Sequence, residues 1–227
     1  MQYPISLAFE DYLTVVFSAL GLILLTRMVL QLDGTLGRMA LIGTILTVAG
    51  GALKATGKIV MAFGGPDIPL LNLGLFPLIA PGFTLLAWSL YQIRRVFRAQ
   101  PGLPRPWLVP ALIIGLCFAA SLALWVAGGP WRVVLIIQSS IANIALLGML
   151  IAAAWGRRMW LTGLLFLITL VVVLAMSRMT QLPNQTLAMI WGEQISQTIA
   201  QALFAVGAWQ YGQVIVASYR RLVPQIV

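Results

Sequence analysis

Histidine is absent from this chain, and that absence excludes a great deal. Without imidazole there is no His-ligated haem, zinc or copper, no histidine proton relay and no catalytic triad built on histidine. Cysteine is nearly absent too. The one residue, Cys117 in the run LIIGLCFAASL, cannot close an internal disulfide and reads as a small buried thiol. Acids number five, and charged residues of both signs make up only 8% of the 227 residues. A soluble domain covers itself with about 25–35% charged residues, so this chain has to be solvated by lipid. Long polar stretches that could form a soluble domain are missing, and residues 1–227 read as one transmembrane domain. The opening MQYPISLAFEDYL does not read as a cleaved signal peptide, because Glu10 and Asp11 stand where a basic region belongs.

What is present is apolar: 61% of the residues are hydrophobic. Seven stretches approach the roughly 20 residues that cross a bilayer as helix. They lie near 9–31, 39–62, 73–97, 107–127, 132–154, 160–180 and 187–217. Helix breakers separate them, among them Asp33-Gly34, Gly64-Gly65-Pro66-Asp67, Gly128-Gly129-Pro130 and Pro183-Asn184. The stretches are solidly apolar and lack the alternation of membrane strands. The sequence therefore predicts an all-α polytopic membrane protein, a bundle of about seven transmembrane helices. Pro77 and Pro81 in the third stretch predict a bend, since each lacks a backbone N–H. The second stretch carries Gly43, Thr47, Gly50, Gly51 and Ala55, small residues that let a neighbouring helix come close.

The net charge of +9 is a topology signal, since basic residues flank apolar stretches and no continuous basic face with interleaved aromatics points to nucleic acid. Arg94, Arg95, Arg98 and Arg105 follow the third stretch, Arg157 and Arg158 the fifth, and Arg220 and Arg221 the seventh. With seven spans all of these share one side, and four of the five acids (Glu10, Asp11, Asp67, Glu193) fall on the other. The positive-inside rule then puts the N-terminus outside and the C-terminus in the cytoplasm, as in the inner membrane of a prokaryote. Trp88, Trp107, Trp155 and Trp160 mark the inner interface, and Trp125, Trp131 and Trp191 the outer one.

Polar groups inside apolar spans are costly, about 2.5–3.5 kcal/mol for a central Lys or Asp, so they face the bundle interior. Lys54 and Lys58 are four apart on one face of the second stretch. Lys58 is near enough to the outer interface to snorkel; Lys54 is deeper and needs a partner or a neutral form. Glu193 in the seventh stretch is the expected partner. Glu193, Gln194, Gln197, Thr198 and Gln201 share an arc of roughly 140° at 100° per residue. Asn143 in the fifth stretch, with Gln138 and Ser139 beside it, and Arg178 at the end of the sixth lie at similar depth. The polar content is skewed outward. It predicts a water-accessible pocket lined by Lys54, Asn143, Glu193, Gln194, Gln197 and Gln201, with Lys58, Gln138, Ser139 and Arg178 in gating or supporting roles. Lys54 would counter an anionic group or exchange partners with Glu193 as the site opens. The competing reading is that these amides only fix helix register.

Seven helices with an external N-terminus are similar in plan to the microbial rhodopsins. That family attaches retinal to a lysine midway along its seventh helix, where this chain has Gln201 and Ala202, so a covalent retinal is excluded. The three-one-three sugar transporters carry a Pro-Gln pair in their repeats; here Pro224-Gln225 lies outside every span. The residues point to a small transporter or channel-like protein acting on a small molecule or ion. The alternative is a receptor-like or accessory subunit that binds a ligand, lipid or pigment without moving it. No catalytic residue, metal or cofactor is indicated. Beyond lipid, a second copy or another membrane protein is the expected macromolecular partner. An enzyme acting on lipid is a third reading, in which Lys54 and Glu193 would form an acid–base pair.

Overall fold

In lipid every backbone polar group has to be satisfied within the chain, which leaves long apolar runs little choice but helix. A computed structural model describes residues 4–97, 100, 103–179 and 186–222, with the side chains of all of these except 72, 177–179, 221 and 222. Among the described residues every regular element is an α-helix: α1 (Ile5–Leu32), α2 (Gly34–Ala62), α3 (Pro69–Leu73), α4 (Leu75–Phe97), α5 (Leu108–Val126), α6 (Arg132–Gly156), α7 (Trp160–Met179) and α8 (Leu187–Leu222).

The sequence boundaries hold to within a few residues at most ends, and the exceptions have local causes. Asp33 is extended (φ −152°, ψ 121°) and its carboxylate accepts the Leu36 N–H at 2.8 Å, so it caps α2 and lets that helix begin at Gly34 rather than 39. The third stretch is interrupted at Gly74, which splits off α3. Pro77 falls in the first turn of α4, where its missing N–H costs nothing; only Pro81 removes an interior donor. Gly64 (φ 78°) and Gly128 (φ 72°) supply the left-handed residues that end α2 and α5.

Six helices close a ring in the order α1, α2, α4, α6, α7, α8 and back to α1, and α5 lies outside it against α4 and α6. Small residues allow a close backbone approach between α2 and α4. A methyl added at Gly43 would come within 2.7 Å of the Gly82 carbonyl oxygen, and one at Gly82 would collide with Thr47 Oγ1. Around the ring, α1 presents Ile5, Phe9, Leu13, Val16, Leu20 and Ile23 outward at helical spacing, all at least 45% exposed. Such a surface has no place in water. Five of the helices, and the run from Pro69 to Phe97 that joins α3 and α4, are long and apolar enough to cross a membrane; α7 adds a shorter apolar stretch, Trp160–Met176. The chain is an integral membrane protein whose helices contact the lipid bilayer.

α5 is almost wholly peripheral. Only Pro110 and Ser121 are buried in it, and the Ser121 hydroxyl donates to the Trp131 carbonyl at 3.0 Å. Cys117 consequently is not a core thiol. It is partly exposed and borders a lateral groove of about 480 Å³ between α4, α5 and α6.

Candidate functional site

The ring has a cavity at the end where α1 begins and α2 ends, about 390 Å³ in volume. All six ring helices line it. α2 supplies Lys54, α6 supplies Asn143, and α8 supplies Glu193, Gln194, Gln197 and Gln201, so the structure brings these six residues around one cavity. Ser139 lines it as well. The volume falls within the roughly 300–1,000 Å³ usual for small-molecule sites. Apolar residues share the wall, among them Val15, Val48, Ile79, Phe83, Leu170 and Val173.

Two of the supporting residues sit elsewhere or differently. Gln138 turns away from the cavity and donates from Nε2 to Thr84 Oγ1 at 3.0 Å, so it borders the lateral groove. Lys58 does not reach for the interface. It is buried, 9% exposed, and forms an ion pair with Asp11 of α1. Arg178 lies in α7, but its side chain is outside the described residues.

The expected Lys54–Glu193 ion pair is not formed. Lys58 has taken the cross-helix partner instead, and Lys54 is exposed to the cavity from α2 while Glu193 faces it from α8. Among the described residues, Lys54, Asn143, Glu193, Gln194, Gln197 and Gln201 make no side-chain hydrogen bond and no ion pair. Polar groups in a membrane protein that lack internal partners have to be met by water or by a solute.

Sequence reasoning missed part of this wall. Asp11, Thr14 and Ser18 on α1 and Thr47 on α2 line the same cavity. On α1 their spacing of three and four residues was a visible polar stripe in an otherwise apolar run. Two hydroxyl contacts stitch the rim: Tyr12 Oη with Thr56 Oγ1 at 2.6 Å, and Thr14 Oγ1 with Thr198 Oγ1 at 2.5 Å.

A second cavity of about 410 Å³ opens at the opposite end of the ring, lined by Met28, Ile93, Arg94, Phe97, Arg157, Tyr211 and Ile215 among others. Arg94 donates to the Met149 carbonyl at 3.2 Å, and the Arg157 guanidinium stacks 5.3 Å from the centre of the Phe97 ring. Between the cavities lies a buried apolar layer that includes Leu22, Leu25, Leu86, Leu90, Leu146, Leu150, Phe166, Phe204 and Ala208.

The two cavities and the layer fall on the same helix faces. On α8 one stripe runs Gln194, Gln197, Gln201, then Phe204 and Ala208, then Tyr211 and Ile215. On α1 it runs Asp11, Thr14, Ser18, then Leu22 and Leu25, then Met28. Gln201 and Tyr211 are ten residues apart, about 15 Å at 1.5 Å per residue. The layer thus occupies close to half of a hydrocarbon core about 30 Å thick.

No family model, curated protein or solved structure matches this chain. Function has to be argued from the cavity itself.

Proposed function

We propose that the protein is a small membrane transporter whose solute is taken up in the cavity lined by Lys54, Asn143, Glu193, Gln194, Gln197 and Gln201. One observation carries this reading: six polar side chains from three helices converge on one space and none is used to hold the bundle together. Amides that served as helix glue would be bonded across an interface, as Gln138 is to Thr84. The second cavity on the same stripes supports movement over mere capture, because it offers an exit once the apolar layer parts. In this reading α1, α4, α6 and α8 carry both access routes, and the structure corresponds to a state open at the N-terminal end. The arginine asymmetry makes that end the outer face, with seven spans, the C-terminus in the cytoplasm, and the bacterial inner membrane as the setting.

The second reading, a receptor-like or accessory subunit that binds without transport, is favoured by the thickness of the closed layer. One experiment addresses both the site and its sidedness. In a Cys117→Ser background, Asn143→Cys in intact cells should react with a charged, membrane-impermeant thiol reagent. Failure to react from outside, with reaction in inverted vesicles, would reverse the orientation; no reaction from either side would remove the aqueous cavity. Solute accumulation in proteoliposomes then separates transport from binding alone.

A further inference from the structure

Resting on that reading of the cavity as a solute site, we infer that the solute is a small zwitterion, an ammonium and a carboxylate on a short linker with an apolar side chain, as in an aliphatic α-amino acid. The charge arrangement carries it. Asp11 and Lys58 neutralise one another in an ion pair between α1 and α2. That leaves one cation and one anion on the cavity wall, Lys54 from α2 and Glu193 from α8, with no hydrogen bond or ion pair to each other or to another described side chain. An anionic solute would satisfy Lys54 and be repelled by Glu193. A cationic solute would do the reverse. A neutral sugar would give neither charge a direct ionic contact, leaving Lys54 and Glu193 only the field each exerts on the other. A zwitterion answers both at once and leaves the occupied cavity neutral.

The remaining wall fits the rest of such a molecule. Asn143, Gln197 and Gln201 offer donors and acceptors beside the two charges. Phe83, Ile144 and Leu170 add apolar surface at the inner end of the cavity, towards the buried layer, where an aliphatic side chain would be sheltered from water.

The test uses the full-length protein purified in detergent and isothermal calorimetry with L-leucine, 4-methylpentanoate, 3-methylbutylamine and glucose. The two analogues are leucine without its ammonium and without its carboxylate. L-leucine should bind at least ten-fold tighter than either analogue, and glucose should not bind. Lys54→Met should abolish the advantage of leucine over the amine, and Glu193→Gln its advantage over the carboxylate. Lys54→Arg and Glu193→Asp, which keep the charge, should restore much of each, which guards against a variant that merely folds poorly. An analogue binding as tightly as leucine, or glucose binding alone, overturns the zwitterion while leaving the cavity a solute site. No binding by any of the four also overturns it, and thiol labelling at position 143 decides separately whether the cavity is open to solvent.

Discussion

The cavity wall and the helix interfaces are made from the same inventory of hydroxyls and amides, yet they treat those groups in opposite ways. Between helices many polar atoms are paired: Thr26 meets Thr44 at 2.7 Å, Thr162 donates to Gln210 at 2.8 Å, and Thr169 donates to the Ala200 carbonyl at 3.0 Å, although the Gln92 amide and Gln138 Oε1 are buried there without a hydrogen bond. Around the cavity, Lys54, Asn143, Glu193, Gln194, Gln197 and Gln201 are left with no such partner among the described residues. Threonines do most of the stitching, with Gln138 and Gln210 as amide partners, while the long side chains of α2, α6 and α8 reach into the space. Length contributes to the division. A threonine hydroxyl reaches only as far as an adjacent helix or its own carbonyls, as Thr47 and Thr84 do, whereas a glutamine extends past the interface.

The largest effect expected on stability lies where a charge is used up. Removing one member of a buried ion pair strands the other, at a typical cost of about 3–5 kcal/mol. Asp11→Asn or Lys58→Met should therefore lower the thermal midpoint in detergent well below that of the parent. Lys54→Met should not, because Lys54 has no internal partner to strand. The double variant Asp11→Leu with Lys58→Met should recover most of the loss. Equal damage from Lys54→Met and Lys58→Met would erase the distinction between the paired lysine and the cavity lysine.

Depth and facing were not equally legible in the sequence. Seven apolar runs, their breakers and the polar skew toward one end follow from composition and spacing, because hydrocarbon punishes exceptions so heavily. Depth could also be counted: from the Asp33 turn, Asp11 lies 22 residues up one helix (33 − 11) and Lys54 and Lys58 lie 21 and 25 up the other (54 − 33, 58 − 33). Depth alone therefore could not choose between the two lysines: the expectation paired Lys54 with Glu193, whereas Lys58 pairs with Asp11. Facing depends on how each helix is rotated in the ring, and that is set by contacts such as Gly43 against Gly82, which no single helix reveals. The glutamines of α8 were legible because five polar residues on one arc specify their own direction. Gln138 was not, since a lone amide beside Ser139 says nothing about which neighbour it meets, and the same holds for Cys117 on the peripheral α5.

An intermediate effect belongs to the α2–α4 contact that sets this rotation. At Gly82 an added methyl would meet the Thr47 hydroxyl and the Gly43 carbonyl oxygen, the latter at 2.8 Å, so the helices have to part. Overpacking of this kind typically costs about 1–3 kcal/mol. Gly82→Ala should lower the thermal midpoint and, because Thr47 also lines the cavity, weaken solute binding in the same variant. Gly148→Ala is the control, since a methyl there meets nothing within 4 Å. Matching losses in both variants would mean that helix propensity, not the close approach, governs the response.

The smallest effect on stability is expected at the residues that matter most to the function. Gln197 and Gln201 have no hydrogen-bond partner to strand, so leucine at either position removes water contacts and nothing else. Substitutions away from structural bonds usually stay within about 0.5 kcal/mol. Gln138→Leu makes the comparison sharp: it is also a single amide in the same bundle, but it breaks the bond from Nε2 to Thr84 Oγ1, which keeps only its own bond to the Ala80 carbonyl. Losing one such bond costs about 0.5–1.5 kcal/mol. Thermal midpoints in detergent beside binding or flux on the same preparations should place the three variants in two groups. Gln138→Leu should be less stable and still active in what remains folded, whereas Gln197→Leu and Gln201→Leu should be stable and inactive. If the two α8 variants instead lose stability by as much as Gln138→Leu and keep their activity in proportion to folded protein, the stripe on α8 is packing material. The contrast between wall and interface would then describe only where the side chains happen to point.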